Sequence, residues 1–291
     1  MTPVVDGVVV VDKPAGWTSH DVVARCRKIF GQKRVGHAGT LDPDATGVLV
    51  VGLGRATRLL RWVTDLPKSY SGELVLGVAT STLDASGEET GRWDMAGVPL
   101  SDVVAAAARF VGEIDQVPPM VSALKVGGQR LHALARAGVE VERAPRRVTV
   151  RRYDVGPAVE PGVFRIDVDC SSGTYVRSLA ADVGTALGGG AHLRALRRTA
   201  VGPFTVDAAV PLDDVGSEVV RPPAAAVAHL APAVVGPEVA AAVATGKVLP
   251  LDQLGAAGAG PWAVLDGAGA LLAVYEAHGA GRAKPAVVLV S

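Results

Sequence analysis

Cysteine is scarce in this chain, which argues against a disulfide-stabilised or zinc-stabilised scaffold. The 291 residues include only Cys26 and Cys170, which lie far apart and form no Cys-x-x-Cys pair. No cluster of histidines and cysteines has the spacing of a zinc site. We therefore expect no metal, and we expect both cysteines to be small core residues.

Long apolar runs are also missing. Residues 224–245 form the most apolar stretch, but His229, Pro232, Gly236, Pro237 and Glu238 interrupt it. A membrane-spanning helix needs about 20 consecutive apolar residues. The short run Val8–Val11 predicts a strand, because neither a basic segment nor a cleavage site accompanies it. We expect a cytoplasmic protein that does not bind membranes.

Neither sign of charge is in excess. The chain has 29 basic and 29 acidic residues, so its formal net charge is zero. Any surface that binds a polyanion must therefore come from local clustering of basic residues. The length is enough for one large domain followed by a small one.

The hydrophobic pattern predicts an α+β fold with a mixed or antiparallel sheet. Strands and helices are interleaved irregularly, without the strict alternation of a doubly wound fold. The predicted strands are Val8–Val11, Val48–Leu53, Tyr70–Leu76 and Val163–Cys170. The predicted helices are one capped by Thr18 or Ser19, one capped by Ser101 and extending through Val111, and one from about Tyr175 to Leu187. The last of these places Arg177 in the first turn of its helix.

The C-terminal part has a different character. Residues 211–237 are rich in proline and alanine and are typical of a connection. The segments Trp262–Leu265, Leu271–Tyr275 and Ala286–Val290 follow, separated by glycine turns, and predict a small β-rich module.

One acidic, glycine-rich run is the strongest candidate for a functional loop. Gly36–Leu49 holds two aspartates, a histidine and three glycines directly before an apolar strand. The proline after Asp42 keeps that aspartate out of the helical region, so an extended backbone presents its side chain. Ordinary turns also contain Asp-Pro and Thr-Gly pairs. The run alone therefore leaves a catalytic loop and a structural turn equally open.

Basic residues are clustered in two places. Between Lys125 and Arg152 there are eight basic and two acidic residues, a net of +6. The second cluster comprises His192, Arg194, Arg197 and Arg198. A single basic run is usually only a solvated face. Two runs in a chain of balanced charge favour a surface that binds a phosphate backbone.

Six ordered motifs resemble the TruB-type tRNA pseudouridine synthases, and the similarity extends from Asp6 to about Pro211. The four principal motifs are Lys13-Pro14-x-Gly16-x-Thr18-Ser19, Gly36-His37-x-Gly39-Thr40-Leu41-Asp42-Pro43-x-Ala45-Thr46-Gly47, Lys68-x-Tyr70 and Gly173–Leu179. Pro118–Lys125 and Gly190–Arg198 also look like that family. Any one of these motifs would be a weak signal, but their common order makes coincidence improbable.

The resemblance implies isomerisation of uridine 55 in the TΨC loop of tRNA to pseudouridine, without cofactor or metal. It implies the pseudouridine-synthase fold, with a curved mixed sheet and a central cleft, in residues 1–229. It also implies an RNA-binding thumb at about 121–152 and a small PUA-like domain at 230–291. The expected partner is the T-arm stem-loop of tRNA, bound by a monomer that needs no obligate protein partner.

The resemblance identifies Asp42 as the essential catalytic aspartate. Breaking the bond from N1 to C1′ develops positive character at C1′, which a carboxylate on the opposite side can stabilise or bond to. Arg177, in the first turn of a helix, would add a permanent cation and the helix dipole, and both favour an ionised carboxylate. We therefore predict an ion pair between Asp42 and Arg177, with Asp44 as a bystander.

Further roles follow from the same resemblance. Tyr70 is similar to the family's active-site tyrosine, which stacks on the base, and Tyr175 and Leu196 are expected in the pocket wall. Lys13 is similar to a lysine that supports the active-site loop, although a surface lysine beside a proline is the simpler alternative. His37 would fill the stack that the flipped uridine vacates. The other residues expected to bind RNA are Lys125, Arg130, Arg143, Arg146, Arg147 and Arg197.

Three other functions stay open at this point. A guide-dependent rRNA pseudouridine synthase shares the aspartate motif. A protein that only binds or folds tRNA would need the basic clusters and the C-terminal module but not Asp42. A glycoside hydrolase could use Asp42 and Asp44, but two acids at this spacing on an extended segment point to opposite sides.

Overall fold

A computed structural model describes residues 4–122, 125–126, 129–130, 139, 141–279 and 281–290, with only the backbone at 125–126 and 129–130. The chain divides into two compact units. The first comprises Met1–Leu41, Leu49–Asp65 and Pro203–Ser291, and the second comprises Asp42–Val48 and Leu66–Gly202. No helix among the described residues is long and apolar enough to cross a membrane.

Helices and strands alternate irregularly along the chain, as the sequence predicts for an α+β fold. The helices are α1 (Ser19–Ile29), α2 (Leu60–Thr64), α3 (Leu100–Ala108), α4 (Val176–Ala186), α5 (Pro237–Ala244) and α6 (Leu251–Leu254). The strands are β1 (Gly7–Lys13), β2 (Val35–Ala38), β3 (Thr46–Leu53), β4 (Lys68–Leu76), β5 (Val78–Thr80), β6 (Glu89–Arg92), β7 (Gly112–Gln116), β8 (Lys125–Val126), β9 (Gln129–Arg130), β10 (Arg146–Glu160), β11 (Val163–Cys170), β12 (Ala191–Val201), β13 (Phe204–Thr205), β14 (Val210–Pro211), β15 (Ala231–Val234), β16 (Leu249–Pro250), β17 (Trp262–Leu265), β18 (Leu271–Ala277) and β19 (Arg282–Val288).

The second unit is built on a sheet in which β12, β4, β11, β10 and β7 are neighbours in that order. All these pairs are antiparallel, whereas the first residues of β3 pair with β12 in parallel. Alternate residues of β4 and β11, including Leu74, Ile166 and Val168, point to one face and form a core with α3 and α4. Tyr70 packs against this core, as the alternation of β4 predicts.

Gly47 is a position where only glycine fits. Its φ angle is +98°, and a Cβ there would lie 2.2 Å from the carbonyl oxygen of Arg198 on β12. The backbone of Arg198 is paired with Gly47 on one side and with Tyr70 of β4 on the other. The pairing of residues 46–47 with β12 therefore requires that residue 47 has no side chain.

Replacing Gly47 with alanine is expected to lower the free energy of unfolding by at least about 3 kcal/mol, since it adds both a positive-φ penalty and a clash with backbone. Urea denaturation measures this change. Gly97→Ala is the matched control, because Gly97 is exposed and a Cβ there meets no atom within 4 Å. Equal stabilities for the two variants would contradict the expected clash.

In the first unit, β1 lies between β14 and β3, and β2 pairs with β3. Helix α1 begins at a capping box, in which Thr18 and Asp21 satisfy each other's backbone amides. This confirms the predicted cap. The buried hydroxyl of Ser19 donates to the carbonyl of Leu41 at 3.2 Å and accepts from its amide at 2.9 Å. The residue directly before Asp42 is therefore fixed to the start of α1.

Residues 231–288 contain a separate five-stranded mixed sheet in the order β15, β17, β18, β19 and β16. Trp262 and Tyr275 are fully buried at the centre of its core. This confirms the β-rich C-terminal module, although β19 begins at Arg282, four residues before the predicted strand. The domain boundary at 229/230 remains a prediction.

One local prediction was wrong at its boundaries. The helix expected to be capped by Ser101 and to run through Val111 is α3, which begins at Leu100, with Pro99 as its N-cap residue, and ends at Ala108. The backbone of Pro99 is extended, with φ −72° and ψ 151°, so Ser101 lies inside the first turn. Residues 211–237, expected to be a plain connection, contain three short 3₁₀ helices, at Leu212–Asp214, Ser217–Val219 and Pro223–Val227.

Both cysteines are core residues, as predicted. Cys26 and Cys170 are buried and unbonded. Burial raises the pKa of each thiol to about 11. They therefore stay protonated at neutral pH and pack as small apolar groups.

Candidate active site

Arg177 is the centre of a polar cluster in the second unit. Its side chain is only 4% exposed, and its Nε lies 3.0 Å from Oδ2 of Asp42 and 3.5 Å from Oδ2 of Asp84. The remaining guanidinium nitrogens donate to the carbonyls of Thr82 at 2.7 Å and Val121 at 2.9 Å. The Asp42–Arg177 ion pair predicted from the sequence is therefore present in the structure.

The start of α4 holds Arg177 in place. Tyr175 is the N-cap residue of this helix, and its own side chain makes no capping hydrogen bond. Instead, the buried amide of Gln116 donates to the Tyr175 carbonyl at 3.1 Å and accepts from its amide at 2.8 Å. These two bonds fix the backbone two residues before the arginine. This role of Gln116 was not predicted, because nothing in the sequence of β7 indicates that the side chain of its last residue binds the backbone of Tyr175.

Asp84 is a second acidic residue that pairs with Arg177, and it was not predicted from the sequence. Its other carboxylate oxygen accepts from the hydroxyls of Thr82 at 2.5 Å and Ser86 at 2.6 Å, and from the Ser86 amide at 3.1 Å. These bonds form an Asx-type turn that orients the carboxylate. The Thr-x-Asp-x-Ser spacing is the only signal that could have drawn attention to it.

Asp42, Arg177 and Leu196 line one pocket of about 210 Å³, together with Asp84 and Leu193. The side chain of Asp42 is 42% exposed, so it can meet a ligand while it stays paired with Arg177. A β-bulge between Arg194 and Arg197 on β12 gives the pocket its apolar wall.

At this bulge Ala195 has a φ angle of +53°. The extra residue locally breaks the in-and-out alternation of β12, so Leu196 lies in the wall.

Tyr70 lies half-buried on β4, close enough to Asp42 to sense its charge. Burial raises the pKa of the Tyr70 hydroxyl, and the positive charge and hydrogen bond of Arg198 act in the opposite direction. Tyr175 is likewise within electrostatic reach of Asp42 and Arg177. Burial raises the pKa of Tyr175, and both it and Tyr70 carry protonated hydroxyls at neutral pH.

Lys13 and His37 belong to the first unit. Lys13 is fully buried, and its ammonium group donates to the carbonyls of Pro14 at 2.9 Å and Trp17 at 2.6 Å. It is therefore no surface lysine; it fixes the turn that leads into α1. The ring of His37 meets the edge of the His20 ring, with centroids 5.4 Å apart.

The residues expected to bind RNA lie in different environments. Arg146 is exposed at the start of β10, and Arg143 is half-buried. Arg147 is exposed but pairs with Glu113 at 3.3 Å and Asp115 at 3.1 Å. Arg197 donates to the Thr46 hydroxyl at 3.2 Å. The side chains of Lys125 and Arg130 lie outside the described residues.

The second basic cluster is not one surface. Arg198 is 1% exposed and His192 is 8% exposed, whereas Arg194 forms ion pairs with Glu73 at 2.6 Å and with Glu160. Expecting all four residues to face phosphate was therefore wrong. Successive residues of a strand point to opposite faces, so Arg197 and Arg198 cannot share a surface.

Solved structures define the class of fold. The chain superposes on the structure titled "Crystal Structure of a Cbf5-Nop10-Gar1 Complex" with a TM-score of 0.74 and 29% identity, covering 98% of this chain and 84% of that one. An H/ACA RNP bound to a substrate RNA containing 2'-deoxyuridine gives a TM-score of 0.70 at 28% identity, over 93% and 78% of the two chains. The fold is that of the pseudouridine synthases, as the sequence predicts.

Sequence comparison defines the family. Residues 27–176 match the TruB family pseudouridylate synthase N-terminal domain, and residues 177–232 match the tRNA pseudouridylate synthase B C-terminal domain. The tRNA pseudouridine synthase B of Mycobacterium sp. (strain KMS) is 55% identical over 215 residues, 73% of this chain and 72% of the relative.

A relative of the same name from Thermobifida fusca (strain YX) is 53% identical over 235 residues, 78% of this chain and 80% of the relative. The chain therefore belongs to the TruB family of pseudouridylate synthases, which are isomerases.

Proposed function

We propose that this enzyme converts uridine 55 in the TΨC loop of tRNA to pseudouridine, by flipping the base out, breaking its glycosidic bond and rejoining it through C5. The observation that carries this proposal is the Asp42–Arg177 pair, in which a half-exposed carboxylate is held by an almost fully buried arginine. The relatives that share more than half of the aligned residues are named as acting on tRNA.

Asp42 supplies the charge that the first chemical step needs. As the bond from N1 to C1′ breaks, its electrons leave with the uracil and C1′ becomes positive. A carboxylate on the opposite side stabilises or bonds to that carbon, as in retaining glycosidases. Arg177 holds the Asp42 carboxylate at 3.0 Å in the lining of the pocket, which lowers the reorganisation needed at the transition state.

Rejoining requires the freed uracil to rotate while it stays in the site. Two side chains that do not lock the base in one orientation serve this purpose: the Leu196 wall of the pocket and the ring of Tyr70 on β4. Apolar and aromatic surfaces hold a planar ring by contact area and stacking, without a fixed hydrogen-bond pattern. After C5 bonds to C1′, the C5 proton is lost to water and N1, which kept the electrons of the broken bond, takes up a proton, so that the ring regains its C5–C6 double bond.

A stacked uridine cannot reach this pocket, so it must leave the RNA loop at a cost of a few kcal/mol. His37 is proposed to fill the vacated stack, and Lys13 to support the active-site loop. The thumb at about 121–152 is proposed to contact phosphates through Lys125, Arg130, Arg143, Arg146 and Arg147, with Arg197 nearer the pocket. Residues 1–229 would form the catalytic domain and 230–291 a PUA-like domain.

The enzyme is proposed to act as a cytoplasmic monomer, without guide RNA or partner protein. A T-arm stem-loop incubated with the purified chain alone is expected to gain one pseudouridine per RNA, at position 55. The control RNA has cytidine at that position and should gain none. Conversion that requires a guide RNA or an added protein would instead assign the chain to the guide-dependent synthases.

Salt dependence tests the proposed phosphate contacts. Within the described residues Arg146 makes no ion pair, whereas Arg147 is paired with two acids. Arg146→Gln is therefore expected to reduce the slope of log Kd against log salt by about 0.7 to 0.9, the value for one phosphate. Arg92→Gln, an exposed arginine paired with Glu89, is the control and should leave the slope unchanged. Titrations of T-arm RNA in a salt series measure both, and equal slopes would exclude an Arg146–phosphate contact.

A further inference from the structure

Arg198 lies on β12 of the second unit, directly beside Tyr70 of β4. Its backbone on β12 pairs with Gly47 of β3 and with Tyr70 of β4. Its side chain is only 1% exposed, which is rare for arginine because burying a cation is costly. A buried arginine at this point of the fold calls for specific interactions that offset the lost hydration.

Two such interactions involve parts of the active site. The Nε of Arg198 donates to the carbonyl of Val48 at 2.7 Å. Arg198 and Tyr70 are directly opposite each other on β12 and β4, so their side chains lie on the same face of the sheet and the guanidinium is next to the Tyr70 hydroxyl, whose pKa it lowers. One rigid, planar side chain thus joins the strand that follows the Asp42 loop to the active-site tyrosine.

Charges of opposite sign act on the Tyr70 hydroxyl. Burial raises the pKa of Tyr70 most, the Arg198 guanidinium lowers it, and the Asp42 carboxylate, the smallest of these causes, raises it. The pKa of Arg198 is also shifted: burial lowers it, and the neighbouring Tyr70 raises it. Arg198 therefore acts on the Tyr70 oxygen in two ways: it fixes its position and it favours negative charge on it.

We propose that Arg198 is a positioning residue for Tyr70, which holds the phenol oxygen in one place while uracil is turned and rejoined. Arg198 has only donor groups, so the Tyr70 oxygen must accept from it, and this fixes the direction in which the phenol O–H points. The role rests on the proposed function, but the contact itself can be measured without any activity.

The first test is a spectrophotometric titration of the phenol. The chain has four tyrosines, so the difference between the wild type and Tyr70→Phe isolates the Tyr70 signal. Arg198→Gln is expected to raise the Tyr70 midpoint by about one unit or more, and Arg198→Lys, which keeps the charge, by less. Arg92→Gln is the control. An unchanged midpoint in a folded Arg198→Gln protein would overturn the proposal whether or not the enzyme modifies uridine 55.

The second test is a double-mutant cycle under single-turnover conditions on T-arm RNA. Arg198→Gln is expected to slow pseudouridine formation at least about 30-fold in the wild type but less than about 3-fold in Tyr70→Phe, because the hydroxyl it acts on is absent there. Arg198→Lys should rescue part of the rate, and the affinity for RNA should change little. Equal losses in both backgrounds would show that Arg198 acts only on stability, and thermal unfolding of each variant identifies that outcome.

Discussion

Asp42→Asn is expected to lower the rate of pseudouridine formation by on the order of 10⁴-fold or more, which is the scale of removing a catalytic nucleophile. Asparagine has nearly the same shape, but it carries no charge to stabilise C1′ and its amide nitrogen cannot pair with Arg177. The carboxylate is half-exposed and its ion pair is partly screened, so stability should change by only about 1 kcal/mol. Binding of T-arm RNA should persist.

Asp44→Asn provides a matched control for this prediction. It removes the same charge two residues away, from an exposed side chain. We expect near wild-type rates from it, measured by single-turnover conversion of T-arm RNA with a binding assay in parallel. Comparable turnover by Asp42→Asn and the wild type would refute the role of Asp42, whereas a large loss in Asp44→Asn would mean that both acids act.

Arg177→Met is expected to give the second-largest effect. The change leaves Asp42 and Asp84 facing each other without their shared cation, and it leaves the carbonyls of Thr82 and Val121 without a donor. Removing this buried cation takes the donor from two acids and two carbonyls at once, which costs about 3 kcal/mol or more. Repulsion between the two acids should also move Asp42 from its position, so activity should fall by at least about 100-fold.

Lysine at position 177 separates charge from geometry. Arg177→Lys keeps the positive charge but replaces the planar guanidinium group by a single ammonium group. An ammonium group cannot reach two carboxylates and two carbonyls at once. We expect partial recovery of stability and little recovery of rate. Denaturation and single-turnover assays on both variants measure the two effects separately, and full activity in Arg177→Met would contradict the assigned pair.

The sequence predicted the elements around the site because their signals are local. The capping residues before α1, the alternation of β4 and the glycine-ended helix α4 each depend on residues within one element. Arg177 was placed in the first turn of its helix by that pattern alone. The Asp42–Arg177 pair followed from matching a permanent cation with the acid of the Asp-Pro loop, supported by the family resemblance.

The parts that could not be predicted depend on contacts distant in the chain. Asp84 reaches Arg177 across 93 positions of sequence, and no period links them. Ala195 has a positive φ angle at the bulge beside Leu196, and alanine does not indicate such a backbone conformation in the sequence. Arg198 was expected on a surface because the second basic cluster was defined by closeness in sequence. The alternation of side chains along a strand, which separates Arg198 from Arg197, was not taken into account. Lys13 was open to a surface interpretation because β1 is buried on both faces and shows no alternation.

Mapping every pseudouridine in a full-length tRNA transcript after incubation with this chain alone tests the central claim most directly. We predict a single modified position, uridine 55, in the RNA treated with the wild type, and none in the RNA treated with Asp42→Asn. Modification at another uridine, modification only when guide RNA is added, or equal modification by Asp42→Asn would each contradict the proposed function.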